Sequence, residues 1–223
     1  MENICNKGIF YELDKNNFTA KVVRSPNAKG SIFIPRSINH QDNEYIITSI
    51  GENSFKNNQK IKSIEFPIDS ELLSICSEAF ASSSINSLFI PSKVNELKEG
   101  WCKGTTDLNQ ISISSENKNY KYDGDKFILG KTDEKSDDFD LLLFCRRDIE
   151  DADVPSSIKR ICPYSFSDCY KLQNVHLHMK SDLTSIEKYS FSQTSLKSVS
   201  IPIKVQRIEE RAFYCSFFLT TIT

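Results

Sequence analysis

An aliphatic residue followed five positions later by an aromatic one recurs six times in this chain, with Cys replacing the aromatic once. The aliphatic anchors are Ile50, Ile75, Leu97, Ile161, Ile186 and Ile208, and their partners are Phe55, Phe80, Cys102, Phe166, Phe191 and Phe213. Steps between anchors run 25, 22, 64, 25 and 22 residues, so the last three copies fall 111 residues after the first three. Self-similarity at a period of roughly 20–30 residues marks a stacked solenoid, because one unit alone has no way to bury its apolar face. Such a fold presents an extended surface rather than a single catalytic pocket.

Aligned on the anchors, each unit reads apolar-x-x-Ile, four residues, Phe, a polar turn, then Leu-x-x-Ile-x-Ile. The second half runs through Ile61/Ile64/Phe66, Ile85/Leu88/Ile90, Leu108/Ile111/Ile113, Leu172/Val175/Leu177, Leu196/Val199/Ile201 and Leu219/Ile222. Its alternation by two predicts a half-buried strand. The small-residue-plus-Phe segments (Ser54-Phe55, Ala79-Phe80, Ser165-Phe166, Ala212-Phe213) predict a short helical turn that drops its ring into the core. Pro35, Pro67, Pro91, Pro155 and Pro202 stand at strand ends, where a residue without an N–H donor fits.

Two stretches interrupt the period. Ile9–Leu13 and Phe18–Val22 flank Asp14-Lys15-Asn16-Asn17 and predict a hairpin. A second block, Tyr120 to Phe144, holds an Asp123-Gly124 turn, Phe127-Ile128-Leu129, an acidic loop and Leu141–Phe144. The expected fold is therefore mainly β, a solenoid with two short strands and a short helical turn per repeat, plus two inserted hairpins. Residues 1–45 form an N-terminal hairpin cap, 46–113 repeats 1–3, 114–153 an inserted hairpin, and 154–223 repeats 4–6 of one continuous body. The sixth repeat ends without a polar capping unit, which predicts a fragment or self-association through that end.

A net charge of −2 with scattered Lys and Arg supplies no basic patch for nucleic acid. The longest apolar run, Leu141–Cys145, is far short of the ~20 residues of a membrane-spanning helix, and Met1-Glu2-Asn3 does not open a signal peptide. Seven cysteines, with no CxxC pair, read as structural free thiols; a Cys162–Cys169 bridge is the lesser alternative. Phosphate-loop, dinucleotide, zinc-protease and nucleophile-elbow motifs are absent, so no enzyme and no cofactor is expected.

The residues pointing outward from the repeat strands are Ser63/Glu65, Ser87/Phe89, Gln110/Ser112, Asn174/His176, Ser198/Ser200 and Thr221/Thr223. This lane of short hydroxyls and amides lets a partner lie close, with large side chains as anchors. Glu65, Phe89, Ser112, His176 and Ser200 are the candidate partner-binding residues. His176-Leu177-His178 sets two imidazoles at i and i+2, but no third ligand accompanies them, and a solvated pair is the favoured reading. The acids of 133–140 and 148–153 lack the turn glycine and terminal Glu of a calcium loop and read as solvated tips. Asn17-Phe18-Thr19 matches the glycosylation pattern, as one site in an Asn-rich chain will by chance.

The sequence Ile158-Lys159-Arg160-Ile161…Ser165-Phe166-Ser167-Asp168-Cys169…Leu172, with the insert Asn119–Lys131, resembles the BspA-like leucine-rich repeat family, most of all versions expanded in parasitic anaerobic protozoa. The resemblance implies a surface antigen that adheres to a host or partner protein or a glycan, at the cell surface. An intracellular leucine-rich-repeat scaffold in the cytoplasm is the alternative.

Overall fold

The computed structural model describes residues 2–223 as strands and turns. Two compact units divide the chain, one ending at Lys118 and the other beginning at Asn119.

The first unit opens with an antiparallel meander of β1 (Glu2–Asn6), β2 (Ile9–Asp14) and β3 (Thr19–Val23). Ile9, Tyr11 and Leu13 alternate into the core, which holds the register. The strands β4 (Gly30–Phe33), β5 (Ser37–His40) and β6 (Asn43–Ile50) follow. β5 and β6 form a hairpin across Gln41-Asp42, both left-handed at φ 49° and 62°, the turn geometry that matches strand twist. Five strands complete the unit: β7 (Ile61–Glu65), β8 (Ser74–Ile75), β9 (Ser87–Ile90), β10 (Glu96–Leu97) and β11 (Gln110–Ile113). Two sheets result. One extends the meander through β6, β8 and β10, parallel at the anchors Ile50, Ile75 and Leu97; the other runs β11-β9-β7-β4.

The second unit repeats this plan. β12 (Tyr120–Asp123), β13 (Phe127–Gly130) and β14 (Leu141–Cys145) form the meander; the expected hairpin is present, with its turn at Gly124-Asp125 (φ 56° and 55°), since Asp123 itself pairs with Phe127. The strand β15 (Asp151–Val154) comes next. After it, β16 (Arg160–Ile161), β18 (Ser185–Ile186) and β20 (Arg207–Ile208) alternate with β17 (Asn174–Leu177), β19 (Ser198–Val199) and β21 (Thr221–Ile222). β14, β16, β18 and β20 continue the meander sheet, while the remaining strands fall into two pairs, the four-residue β15 and β17 and the two-residue β19 and β21.

The turns correct one expectation: no helical turn surrounds the repeat aromatics. The residues two before and two after each one are left-handed, as at Asn53 and Asn57 (φ 56° and 59°), Tyr164 and Asp168 (61° and 64°), and Gly100 and Gly104 around Cys102 (66° and 72°). A left-handed residue at every fourth position breaks the helical hydrogen-bond chain. Tight i→i−3 bonds replace it, such as Asn58 N–H to the Phe55 carbonyl (3.1 Å). The aromatic's own amide then points to the next coil: Phe55 donates to Ala79 (2.8 Å), Phe80 to Trp101 (2.8 Å), Phe166 to Ser190 (2.7 Å) and Phe191 to Ala212 (2.8 Å).

Those turns stack the rings. Phe55 and Phe80 lie 5.6 Å apart and parallel to within 5°, and Trp101 meets Phe80 edge-on at 6.3 Å, supplying the ring that Cys102 lacks. In the second unit Phe127 meets Phe166 edge-on (6.0 Å), Phe191 stacks on Phe166 (4.6 Å), and Phe213 stacks on Phe191 (5.3 Å). Offset and edge-on pairs each add about 0.5–1.5 kcal/mol beyond area burial. Aliphatic anchors flank this spine, with Ile50, Ile75, Ile161 and Ile186 all fully buried.

Candidate partner-binding surface

The strands outside the meander sheets (β4, β7, β9 and β11 in the first unit; β15, β17, β19 and β21 in the second) aim alternate side chains outward, and their register orders those side chains into rows. In the first unit Ser31 pairs with Ser63 and Phe33 with Glu65; Ser63 pairs with Ser87, and Phe89 with Ser112. Glu65 and Phe89 thus stand level, giving one row of Phe33, Glu65, Phe89 and Ser112 beside another of Ser31, Ser63, Ser87 and Gln110. Strands ~4.8 Å apart put Phe33 and Phe89 roughly 10 Å apart, with the Glu65 carboxylate between them. Glu65 and Ser112 are exposed, whereas Phe89 is half-buried rather than the free anchor expected of it.

The more exposed aromatic, Phe33 at 57%, went unread in the sequence because β4 precedes the first anchor. Ile32-Phe33-Ile34-Pro35 carries the same Ile-x-Ile-Pro ending as the repeats, which was the signal available. The strand β15 corrects the reading of 148–153 as a solvated tip: Asp151–Val154 pair with β17, and Ala152-Asp153-Val154-Pro155 repeats the strand ending with an acid outward.

In the second unit β15 sets Asp153 opposite His176 and Asp151 opposite Asn174, whose Nδ2 donates to Asp151 Oδ1 at 2.6 Å. Ser200 and Thr223, each just past the end of its strand in the pair β19-β21, share a hydroxyl bond of 2.9 Å. No ladder joins β17 to β19. Lys197 bridges them with its amide to the Gln173 carbonyl (3.4 Å) and its Nζ to Gln173 Oε1 (3.0 Å). A shallow recess of about 640 Å³ lies at that parting, lined by Asp153, Asn174, His176, His178, Ser198 and Ser200 among others. Of the five sequence-nominated residues, Glu65, Phe89 and Ser112 share the first unit's row, and His176 and Ser200 share this recess.

The two histidines are not equivalent. His176 sits in β17, whereas His178 lies past its end with Nε2 2.9 Å from Asp153 Oδ1. Among the described residues no three His, Cys, Asp or Glu side chains gather in a metal-holding group. Asp140, at the base of the acidic loop, is buried. Burial pushes its pKa up, but the Thr132 amide (2.8 Å) and the Lys159 ammonium (3.1 Å) outweigh that and hold it below the usual carboxylate range.

All seven cysteines are free thiols. Cys169 sits by the Cys145 carbonyl (4.0 Å), the Arg146 carbonyl (3.8 Å) and the Arg147 guanidinium (3.6 Å) rather than bridging to Cys162. Burial pushes the Cys162 thiol up to about 12. Among the described residues no helix is long and apolar enough to cross a membrane.

Residues 31–124 and 141–223 match the BspA type leucine-rich repeat region, in six copies. The chain belongs to the BspA-type leucine-rich repeat family. Two solved structures share the fold of this family member along its whole length. A leucine-rich-repeat protein from Eubacterium ventriosum aligns at TM-score 0.63 and 16% identity, over 100% of this chain and 72% of its own. A leucine-rich cell surface protein from Faecalibacterium prausnitzii aligns at TM-score 0.58 and 20% identity, over 100% of this chain and 54% of its own. This BspA-type chain therefore spans about half the length of the latter. Both are bacterial, and neither supports the narrower likeness to protozoan members. No curated protein matches the chain.

Proposed function

We propose that this BspA-type protein is a non-enzymatic interaction module that binds a protein or glycan through the outward rows of the strands outside its meander sheets. The single observation that carries this reading is the row Phe33–Glu65–Phe89–Ser112, which alternates ring and polar group across four hydrogen-bonded strands. Short Ser side chains in the neighbouring row leave room for a partner to lie close, with the exposed ring of Phe33 as an apolar anchor and the accessible edge of the half-buried Phe89 as a second contact. The recess at His176 and Ser200 offers a second, more polar contact. The cell-surface description of the Faecalibacterium prausnitzii protein is consistent with adhesion or surface display as the setting.

The test is a partner captured from protein and glycan arrays, then challenged with Glu65→Ala, Phe89→Ala and His176→Ala variants. Binding spread over many weak contacts predicts about a tenfold loss at Phe89 and smaller losses at the other two. Unchanged affinity in all three folded variants moves the site off the strand face. An intracellular scaffold using the same face is the second reading, motivated by the seven free thiols. Thiol titration of denatured protein from its source separates the two: seven reactive thiols favour the cytosol, and blocked pairs favour export.

A further inference from the structure

The strand β4 carries a feature independent of its outward side chains. β7 pairs along one edge, and among the described residues no strand pairs along the other. Gly30 N–H donates to the Lys60 carbonyl (2.8 Å) and Ile34 N–H to the Glu65 carbonyl (3.0 Å), both on the β7 side. Strand alternation therefore turns the amides and carbonyls of Ser31 and Phe33 the other way. They open onto a groove of about 940 Å³, with Tyr11 and Ile38 in its floor and Asn27 and Asn39 in its walls. Unpaired strand edges bordering a groove are the setting in which an extended peptide adds as a further strand.

Charge selects the occupant. Among the described residues the groove is lined by Lys7 and Lys29 and by no carboxylate. Both lysines are exposed, and neither joins an ion pair among the described residues, although Lys15 and Lys21 in the same unit pair with Glu2 and Glu12. We infer that the β4 edge binds an extended acidic peptide segment of a partner protein, which hydrogen-bonds to Ser31 and Phe33 and sets its carboxylates against Lys7 and Lys29. Backbone pairing supplies the affinity and the lysines the sign preference. At about 3.3 Å per residue, the four residues of β4 match a peptide core of roughly four residues.

Fluorescence anisotropy with capped, labelled Asp-Val-Asp-Val-Asp-Val tests this. The expected result is saturable binding to the full chain that weakens as salt is added, with at least about a tenfold weaker response from the Lys-Val-Lys-Val-Lys-Val counterpart. Lys7→Glu/Lys29→Glu lowers affinity about tenfold, whereas the exposed charge control Lys171→Glu/Lys180→Glu leaves it unchanged. Ser31→Pro removes one outward donor without touching the β7 ladder and lowers affinity by a similar factor. Should that variant fail to fold, N-methylation of alternate peptide amides removes the same pairing from the ligand side. No binding at about millimolar peptide, equal binding of the two peptides, or indifference to both the lysine reversals and N-methylation overturns the inference. Phe33 borders both surfaces, but Glu65, Phe89 and His176 lie outside this groove, so variants at those three separate its failure from that of the strand-face reading.

Discussion

The same four-strand plan yields a continuous sheet in one unit and a parted one in the other. β4, β7, β9 and β11 hydrogen-bond into one surface, whereas β15-β17 and β19-β21 stand as separate pairs with a recess between them. The inward columns are alike in the two units: parallel phenyl rings, buried aliphatic anchors and left-handed residues on either side of each ring. What differs lies outward. Unit one shows phenyl rings and an acid in its strand row, and unit two shows Asp153, His176 and Ser200. The turn edges diverge in the same way. Glu78 bridges Lys56 and Lys103 in the first unit, and those two ammoniums, Lys103 foremost, hold its pKa below the usual range. In the second unit Tyr164 stacks on Tyr189 (5.3 Å), Tyr214 meets Tyr189 edge-on (6.2 Å), and Arg211 lies over both Tyr189 and Tyr214. Inward positions build the coil, and outward positions are free to specialise.

That division is open to test, and the deepest cut comes first. Phe166→Ala and Phe55→Ala each remove a fully buried ring from a stack and are expected to cost about 3–5 kcal/mol by urea unfolding. Hydrogen exchange should show each loosening its own unit; a loss under about 1 kcal/mol breaks the claim that the inward columns are equivalent.

Asn58 sharpens the contrast at the position three after the ring. Its amide donates to the Ala28 carbonyl (2.9 Å) and accepts from the Lys60 amide (2.8 Å), whereas the counterpart Cys169 has sulfur contacts no closer than 3.6 Å. Asn58→Ala is expected to cost about 2 kcal/mol and Cys169→Ala about half that, read from denaturant midpoints.

Acid should act on the second unit through Asp140. Its folded-state pKa is lowered, so its contribution is fully present above the ordinary carboxylate value of about 3.9 and lost as pH falls through the lower folded value. Stability of Asp140→Asn followed from pH 6 to about pH 2 should start about 1–2 kcal/mol lower and decline less steeply than the parent. Parallel curves break this assignment. The smallest stability effects belong to the exposed Phe33 and His176, where Ala should shift stability by no more than about 0.5 kcal/mol while weakening partner binding.

The sequence made the inward columns legible because burial repeats. Ile50, Ile75, Phe55 and Phe80 recur at fixed steps, and the strands and stacked rings follow from them. The turn geometry was not legible. Asn53 and Tyr164 hold the same left-handed conformation with unrelated side chains, and the coil-to-coil amide ladder that demands it involves only backbone. Phe33 and the strand around Asp153 were not legible because each precedes the first anchor of its unit; the run of acids at 148–153 reads as a solvated tip, although Ile34-Pro35 and Val154-Pro155 close both segments as strands. The parting beside Ser198 leaves no trace in composition, since it depends on which amides meet across two coils. The β5-β6 hairpin was hidden as well, its turn built from Gln41-Asp42 rather than from glycine.

The most direct measurement compares two double variants against one captured partner: Phe33→Ala/Phe89→Ala on the strand row and Lys56→Ala/Lys103→Ala on the turn edge of the same unit. Binding by surface plasmon resonance, with folding checked by circular dichroism, should fall at least about tenfold for the strand-row pair and stay within about twofold for the turn-edge pair. Retained affinity in the strand-row pair with loss in the turn-edge pair would contradict the assignment of the partner site to the strand face.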